Sequence, residues 1–290
     1  MNGHLRIAVC TNRSPAEAAE SLAALRSQAP PGALVVVTSG LSSDAASKFD
    51  GTVLVEPRRG LSRARNRALD WCDEDDVLAF VDDDAVVCSG WFAGLLRAWE
   101  EAPDEIACIG GPIRPRWPAG GPPAWVSPPI LPVLTLLDLG AEERDLDPSM
   151  TTVYGANISF RVSALRRVGG FDPAFGHSGS RIFFSEEDEA QRALARLGYR
   201  VRYVPDAAVE HVIPAKRLTR ASFLRRRFAY GVTLGVRRAR PLRLTARQAI
   251  SSSAGTVVAL GRKKLVMERA VRAAENLGVL WGLMRPKRPS

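Results

Sequence analysis

Acidic residues almost vanish from the end of this chain: between His211 and Ser290 there are two, Glu268 and Glu275, against 19 Lys and Arg. That stretch carries +17 and residues 1–210 carry −8, so the formal net charge of +9 is the sum of two opposite parts. A cationic segment with apolar positions among its arginines suits anionic lipid headgroups, worth roughly 1 kcal/mol per basic residue near the surface. Nucleic-acid phosphates are the lesser alternative, and helices with solvated arginine faces are the plain one. Cysteine is scarce too. Cys10, Cys72, Cys88 and Cys108 show no CxxC spacing, so the reading is reduced, mostly buried thiols of a cytosolic protein. No apolar run approaches the roughly 20 residues needed to cross a bilayer, and Met1–Arg6 leads into a strand without a charged-then-apolar export segment. The expectation is a cytoplasmic protein, soluble or peripheral at the inner face of the cell membrane.

Disorder and fibrous repeats are equally absent: 46% of the 290 residues are hydrophobic and 24% charged, enough for a large core. Short β-rich runs at 6–10, 33–37, 52–55 and 77–81 alternate with helical spacing at 15–27, 61–72 and 91–100. That order predicts an α/β fold with βαβ units and a mostly parallel, Rossmann-like sheet flanked by helices. Ligands of such sheets lie beyond the carboxyl ends of the strands. The residues found there are Thr11-Asn12-Arg13, Thr38-Ser39-Gly40, Glu56 and Asp82-Asp83-Asp84.

Three adjacent carboxylates after the buried run Val77–Val81 call for a cation. Mg²⁺ in particular is held by one or two carboxylates, with substrate phosphates completing its shell, so a metal-diphosphate site is the first hypothesis; an acidic turn in solvent is the other. Residues 112–135 differ in kind. Eight prolines are expected to interrupt every helix there, and Trp117 and Trp125 sit in an irregular loop. That loop is either a surface excursion packed by its own tryptophans or the wall of an acceptor pocket. Leu218–Arg240 and Ala254–Leu283 have the spacing of basic helices with apolar stripes.

Taken in order, Gly60-Leu61-Ser62-Arg63-Ala64-Arg65-Asn66, Asp82-Asp83-Asp84, Gly155-Ala156-Asn157, Gly169-Gly170-Phe171-Asp172 and Glu186-Glu187-Asp188-Glu189 resemble the family 2 glycosyltransferases of the GT-A fold. The resemblance spans about residues 5–212. It implies a catalytic domain over 1–212, with a nucleotide-binding part of about 1–112 and an acceptor part of about 113–212, followed by a basic helical region at 213–290. It further implies an inverting enzyme moving a sugar from a nucleoside-diphosphate sugar to a hydroxyl acceptor, such as a lipid-linked glycan, a polysaccharide precursor or a secondary metabolite. The implied cofactor is a divalent ion, Mg²⁺ or Mn²⁺.

By the resemblance, Asp84 binds the metal, His211 approaches it, and Asp82 and Asp83 lie near ribose and phosphates. Thr11, Arg13 and Arg65 match donor-binding positions. The family's Asp-Asp-Gly-Ser after the second strand is replaced by Thr38-Ser39-Gly40, which removes a carboxylate acceptor from the nucleobase side; Glu56 is a candidate donor contact there, with its role as the substitute left open. The base that takes the acceptor's proton falls on Glu187 when counted back from Gly198 and on Asp188 by residue identity. Four acids also favour the positive end of a helix dipole without any catalytic role. Trp125 and Asp172 are candidate acceptor contacts. Two rival readings are a nucleotidyltransferase of related sheet, whose glycine-rich phosphate loop is missing, and an inactive basic protein that binds membrane or nucleic acid.

Overall fold

The computed structural model describes residues 3–173, 177–178, 181–182, 186–236 and 263–284. The chain divides into two compact units, one formed by Met1–Arg116, Leu136–Gly179 and Glu186–Val212, the other by Trp117–Thr135, Ser180–Ser185 and Ile213–Ser290.

The first unit is built on an eight-stranded sheet. Its strands are β1 (Leu5–Thr11), β2 (Leu34–Ser39), β3 (Thr52–Glu56), β4 (Val77–Val81), β6 (Ile106–Gly110), β8 (Arg144–Leu146), β9 (Asn157–Arg161) and β12 (Arg200–Tyr203), ordered β3-β2-β1-β4-β9-β6-β12-β8. Pairings β1–β2, β1–β4, β2–β3 and β6–β12 are parallel, whereas β9 runs antiparallel to both β4 and β6, and β8 antiparallel to β12. Continuous burial of Val77–Val81 and Ile106–Gly110 explains why both read as unbroken apolar runs, as strands covered on two faces must. A two-residue strand, β10 (His177–Ser178), belongs to this unit, and another, β11 (Arg181–Ile182), to the second.

Helices α1 (Pro15–Arg26), α2 (Ser43–Ala46), α3 (Leu61–Leu69), α4 (Trp91–Glu100), α5 (Val162–Arg167) and α6 (Glu186–Arg196) belong to this unit. Local chemistry sets the start of α1: Pro15 fits the first turn, and the Glu17 carboxylate accepts from Ser14 N at 3.0 Å and Oγ at 2.8 Å. The helix expected over 61–72 ends at Leu69 instead. Trp71 N and Cys72 N bond back to the carbonyls of Ala68 and Leu69, which closes tight turns.

The strand order reverses between β1 and β4, because consecutive strands leave β1 toward opposite edges. Such a switch point opens a crevice at the carboxyl ends, and Thr11 and Asp82 stand there. A three-stranded sheet of β5 (Ala85–Val87), β13 (Val209–Val212) and β7 (Ile113–Arg116) follows directly on the carboxylates. Its register pairs His211 with Ala85, and Val212 N donates to Asp84 O at 2.9 Å. His211 therefore lies inside β13, anchored beside Asp84. All four cysteines are free thiols, Cys72 and Cys108 buried, Cys10 and Cys88 partly so.

In the second unit, Pro128–Leu134 forms a 3₁₀ helix, against the expectation that the prolines forbid any helix. Prolines at its start need no donor, and short 3₁₀ runs tolerate what an α-helix does not. Two long helices follow, α7 (Arg220–Val236) and α8 (Lys263–Leu283). Residues 237–240 of the first expected helix and 254–262 of the second, Val257, Val258 and Leu260 among them, lie outside the described residues. The two helices touch along glycines: a Cβ on Gly231 would lie 2.0 Å from the Glu275 carbonyl oxygen, and one on Gly278 would lie 2.1 Å from that of Phe228. Gly235 faces Val279 four residues further along both helices, so α7 and α8 run in the same direction. Among the described residues no helix is long and apolar enough to cross a membrane.

Candidate active site

Asp82, Asp83 and Asp84 leave β4 within reach of groups from three other elements. The Thr11 hydroxyl, at the end of β1, donates to Asp83 Oδ2 at 2.5 Å. Arg13 bonds Asp84 Oδ2 through Nη2 at 2.9 Å and faces Asp83 Oδ1 through Nε at 3.5 Å. His211 Nε2 stands 3.2 Å from Asp84 Oδ1. Burial raises Asp83 to about 6, and neighbouring Asp84 and Asp82 add to the rise, against the opposing Thr11 bond and Arg13 charge. Asp82 is raised in the same way, first by its surroundings and then by Asp84 and Glu187, with Arg65 and His211 opposing.

Arg65 is the hub of the opposite side. It projects from the buried face of α3, 2% exposed, with its guanidinium carbon 5.5 Å from the ring centroids of both Phe80 and Phe171. Its Nη1 lies 2.8 Å from Glu186 Oε1 and 3.7 Å from Glu187 Oε2, and its Nη2 lies 3.8 Å from Asp82 Oδ1. One cation thus serves three carboxylates. That deficit has a consequence: burial, then the charge of Glu187, raises Glu186 to about 8. The same carboxylates raise Arg65 against the opposing effect of burial. Gly155 is required here, since a Cβ would sit 2.2 Å from Arg65 Nη2; the Gly155 carbonyl accepts from that nitrogen at 3.2 Å.

The neighbouring motif residues lock together. Both ends of the Asn66 amide clamp the Phe171 backbone, at 2.7 and 2.8 Å, so the Arg65-Asn66 pair holds the Gly169–Asp172 turn. Asn157 accepts from Trp91 Nε1 at 3.0 Å and donates to the carbonyls of Ala207 and Pro112 at 2.6 and 3.2 Å.

At the start of α6 the four acids part company. Glu186 turns inward to Arg65. Glu187, 17% exposed at its side chain, receives a long bond from Gly155 N at 3.4 Å. Asp188 is buried and accepts from the Thr152 hydroxyl at 2.5 Å, while Glu189 pairs with Arg196 on the surface at 2.8 Å. Gln191 fastens the helix to the 152–155 segment through Val153 N and O, at 3.0 and 2.9 Å.

Glu56, the last residue of β3, folds back on Arg58, accepting from its backbone N at 2.9 Å. Asp172 is exposed, one residue past Phe171. Trp125 belongs to the second unit, where its ring meets Phe223 edge-on at 5.0 Å. Sequence reasoning did not single out Glu186, Thr152 or Gln191. Beyond its place in the acidic run, the sequence signal for Glu186 is an arginine on the apolar side of α3, which demands a buried anion somewhere.

The chain matches the model of glycosyl transferase family 2 over residues 7–169, more than half its length. It belongs to that family. Relatives include the glucosyl-dolichyl phosphate glucuronosyltransferase of Haloferax volcanii, 31% identical over 160 residues, which cover 54% of this chain and 49% of that protein. The succinoglycan biosynthesis protein ExoM of Rhizobium meliloti is 29% identical over 259 residues, 80% of this chain and 74% of ExoM. The chain thus spans about half the length of the first relative and about three quarters of the second. Among solved structures, the mannosyltransferase PcManGT of Pyrobaculum calidifontis, in complex with GDP-Man and Mn²⁺, superposes with a TM-score of 0.62 at 18% identity, over 95% of this chain and 86% of that one. The architecture is the GT-A glycosyltransferase fold.

Proposed function

We propose that this family 2 glycosyltransferase moves a sugar from a nucleoside-diphosphate donor to a hydroxyl acceptor with inversion at the anomeric carbon. The observation that carries the reading is the placement of Asp82–Asp84 and of Glu187 on either side of Arg65, which reaches Asp82 at 3.8 Å and Glu187 at 3.7 Å. Donor diphosphate belongs on the Asp84 side, with Thr11, Arg13 and Asp83 close by, and the acceptor hydroxyl at Glu187. As the hydroxyl oxygen attacks the anomeric carbon, Glu187 takes its proton, and the bond to the nucleoside diphosphate breaks. Glu187 is favoured over Asp188 because its carboxylate keeps an accessible edge, whereas Asp188 is buried and committed to Thr152.

The donor set fits a hard divalent ion. Asp84 and His211 offer one carboxylate and one imidazole within 3.2 Å of each other; the carboxylate suits Mn²⁺ or Mg²⁺ with oxygen ligands from a diphosphate, and the imidazole favours Mn²⁺ of the two. Among the described residues no three His, Cys, Asp or Glu side chains form a closed metal cluster, so the remaining ligands would come from substrate. An ion held by Asp84 and His211 would act as a Lewis acid toward the departing diphosphate.

A lipid-linked glycan is the proposed acceptor class, supported by the dolichyl phosphate in the name of the Haloferax relative. Peripheral attachment to an anionic membrane is the matching location, supported by the +17 of residues 211–290. Steady-state kinetics test the base: Glu187→Gln is expected to keep donor KM and lose kcat by roughly 10²-fold or more, with Asp188→Asn much milder. A full-rate Glu187→Gln enzyme would overturn the assignment.

A further inference from the structure

Helix α8 has two faces of opposite character. One is spent on α7: Met267, Val271 and Val279 are buried, and Gly278 and Gly282 approach the carbonyls of Phe228 and Val232. The other carries Val266, Ala270, Ala273, Leu277, Trp281 and Met284 at spacings of three and four, which align on one side of a helix. None of the six is buried. Leu277, Trp281 and Met284 are 53%, 51% and 71% exposed, three of the six most exposed large apolar residues of the described chain.

The charges around this face point to its occupant. Both acidic residues of the helix are turned to partners within the unit: Glu268 accepts from the Ser127 hydroxyl at 2.6 Å, and Glu275 pairs with Arg227 at 2.5 Å. The sequence sets Arg262-Lys263-Lys264 before the face and Arg285, Lys287 and Arg288 after it. An apolar stripe with a Trp near its end, flanked by cations and with no carboxylate on its surface, is the pattern of a helix lying in a lipid–water interface. A second copy of the chain is a poorer occupant. A stable protein interface needs roughly 1,200 Å² or more of buried surface, beyond three protruding side chains, and two such faces would bring like charges together.

We propose that α8 lies flat in the surface of an anionic membrane with Leu277, Trp281 and Met284 inserted among the acyl chains. This deepens the peripheral reading above by naming the inserted element, and it predicts a binding component that salt does not remove. The test uses the full chain and sedimentation with vesicles of phosphatidylcholine containing about 30% phosphatidylglycerol, against pure phosphatidylcholine. Wild type is expected to bind the anionic vesicles, and a Leu277→Ser/Trp281→Ser/Met284→Ser variant with unchanged circular dichroism to bind at least about tenfold more weakly. In the wild type, brominated lipid is expected to quench a tryptophan signal that Trp281→Phe removes. Equal vesicle binding by the triple variant, fully released by salt, would overturn the insertion while leaving an electrostatic attachment standing. Wild type that binds no vesicles would overturn both. Concentration-dependent dimerisation without lipid, abolished in the triple variant, would also overturn it by assigning the face to a second copy.

Discussion

Arg65 and Gly278 show how differently the two units of this chain solve close packing. In the sheet-bearing unit a guanidinium is sealed between two phenyl rings and three carboxylates, so every neighbouring residue type is constrained by charge. In the helical unit the contact is backbone on backbone, with glycine Cα atoms pressed against carbonyl oxygens, a geometry that gains from dispersion and weak Cα–H···O contacts. Even its ion pair, Arg227 with Glu275, leaves the arginine 27% exposed. Buried charge marks the sheet-bearing unit, whereas the Arg227–Glu275 pair of the helical unit stays partly in solvent.

That contrast can be broken by exchanging what each unit tolerates. Arg65→Ala is expected to produce the largest loss of stability, about 3–5 kcal/mol, because the space between Phe80 and Phe171 would empty and Glu186 Oε1 and the Gly155 carbonyl would lose their buried donors. Gly278→Val should cost less, about 1–3 kcal/mol, since its Cβ would collide with the Phe228 carbonyl and the helices would have to part. Urea denaturation of both variants checks the order. A smaller loss for Arg65→Ala than for Gly278→Val would invert the comparison.

A subtler effect sharpens it. Burial holds the Glu186 carboxyl at about 8 in the folded chain, against about 4.3 for an unfolded glutamate. Between those values the folded state keeps a proton that the unfolded state releases, so this group stabilises fully below the lower value and its contribution is lost as pH rises through the upper one. Melting temperature is therefore expected to decline from about pH 5 to pH 8, and Glu186→Gln to flatten the decline. An unchanged slope in Glu186→Gln would mean that Glu186 is ionised throughout.

The parts of this fold legible in the sequence are those where one physical demand dominates. Strands β1, β2 and β4 each hold an unbroken apolar run, and Asp82–Asp84 are conspicuous because three adjacent carboxylates directly behind such a run call for either solvent or a cation. Antiparallel β9 escaped notice: Asn157-Ile158-Ser159-Phe160-Arg161 alternates polar and apolar, and Asn157 and Ser159 are nonetheless buried because Trp91 and Trp99 donate to them at 3.0 and 2.9 Å. Glu186, Glu187, Asp188 and Glu189 look alike in sequence. Only the rotation of α6 against Arg65 and Thr152 separates a buried counterion, an accessible carboxylate, a committed acceptor and a surface residue. For Trp125 the sequence left a self-packed loop and an acceptor wall side by side, and its edge-on contact with Phe223 comes from a helix nearly a hundred residues away that no local pattern announces.

The proposal of a metal-diphosphate site at Asp84 and His211 is most directly tested by calorimetry of UDP, GDP and dTDP with Mn²⁺ and with EDTA. For the nucleotide that binds best, affinity is expected to be at least about tenfold higher with the ion, and Asp84→Ala should reduce that ratio to near one while the fold, followed by circular dichroism, is kept. An undiminished Mn²⁺ dependence in Asp84→Ala would contradict the assignment.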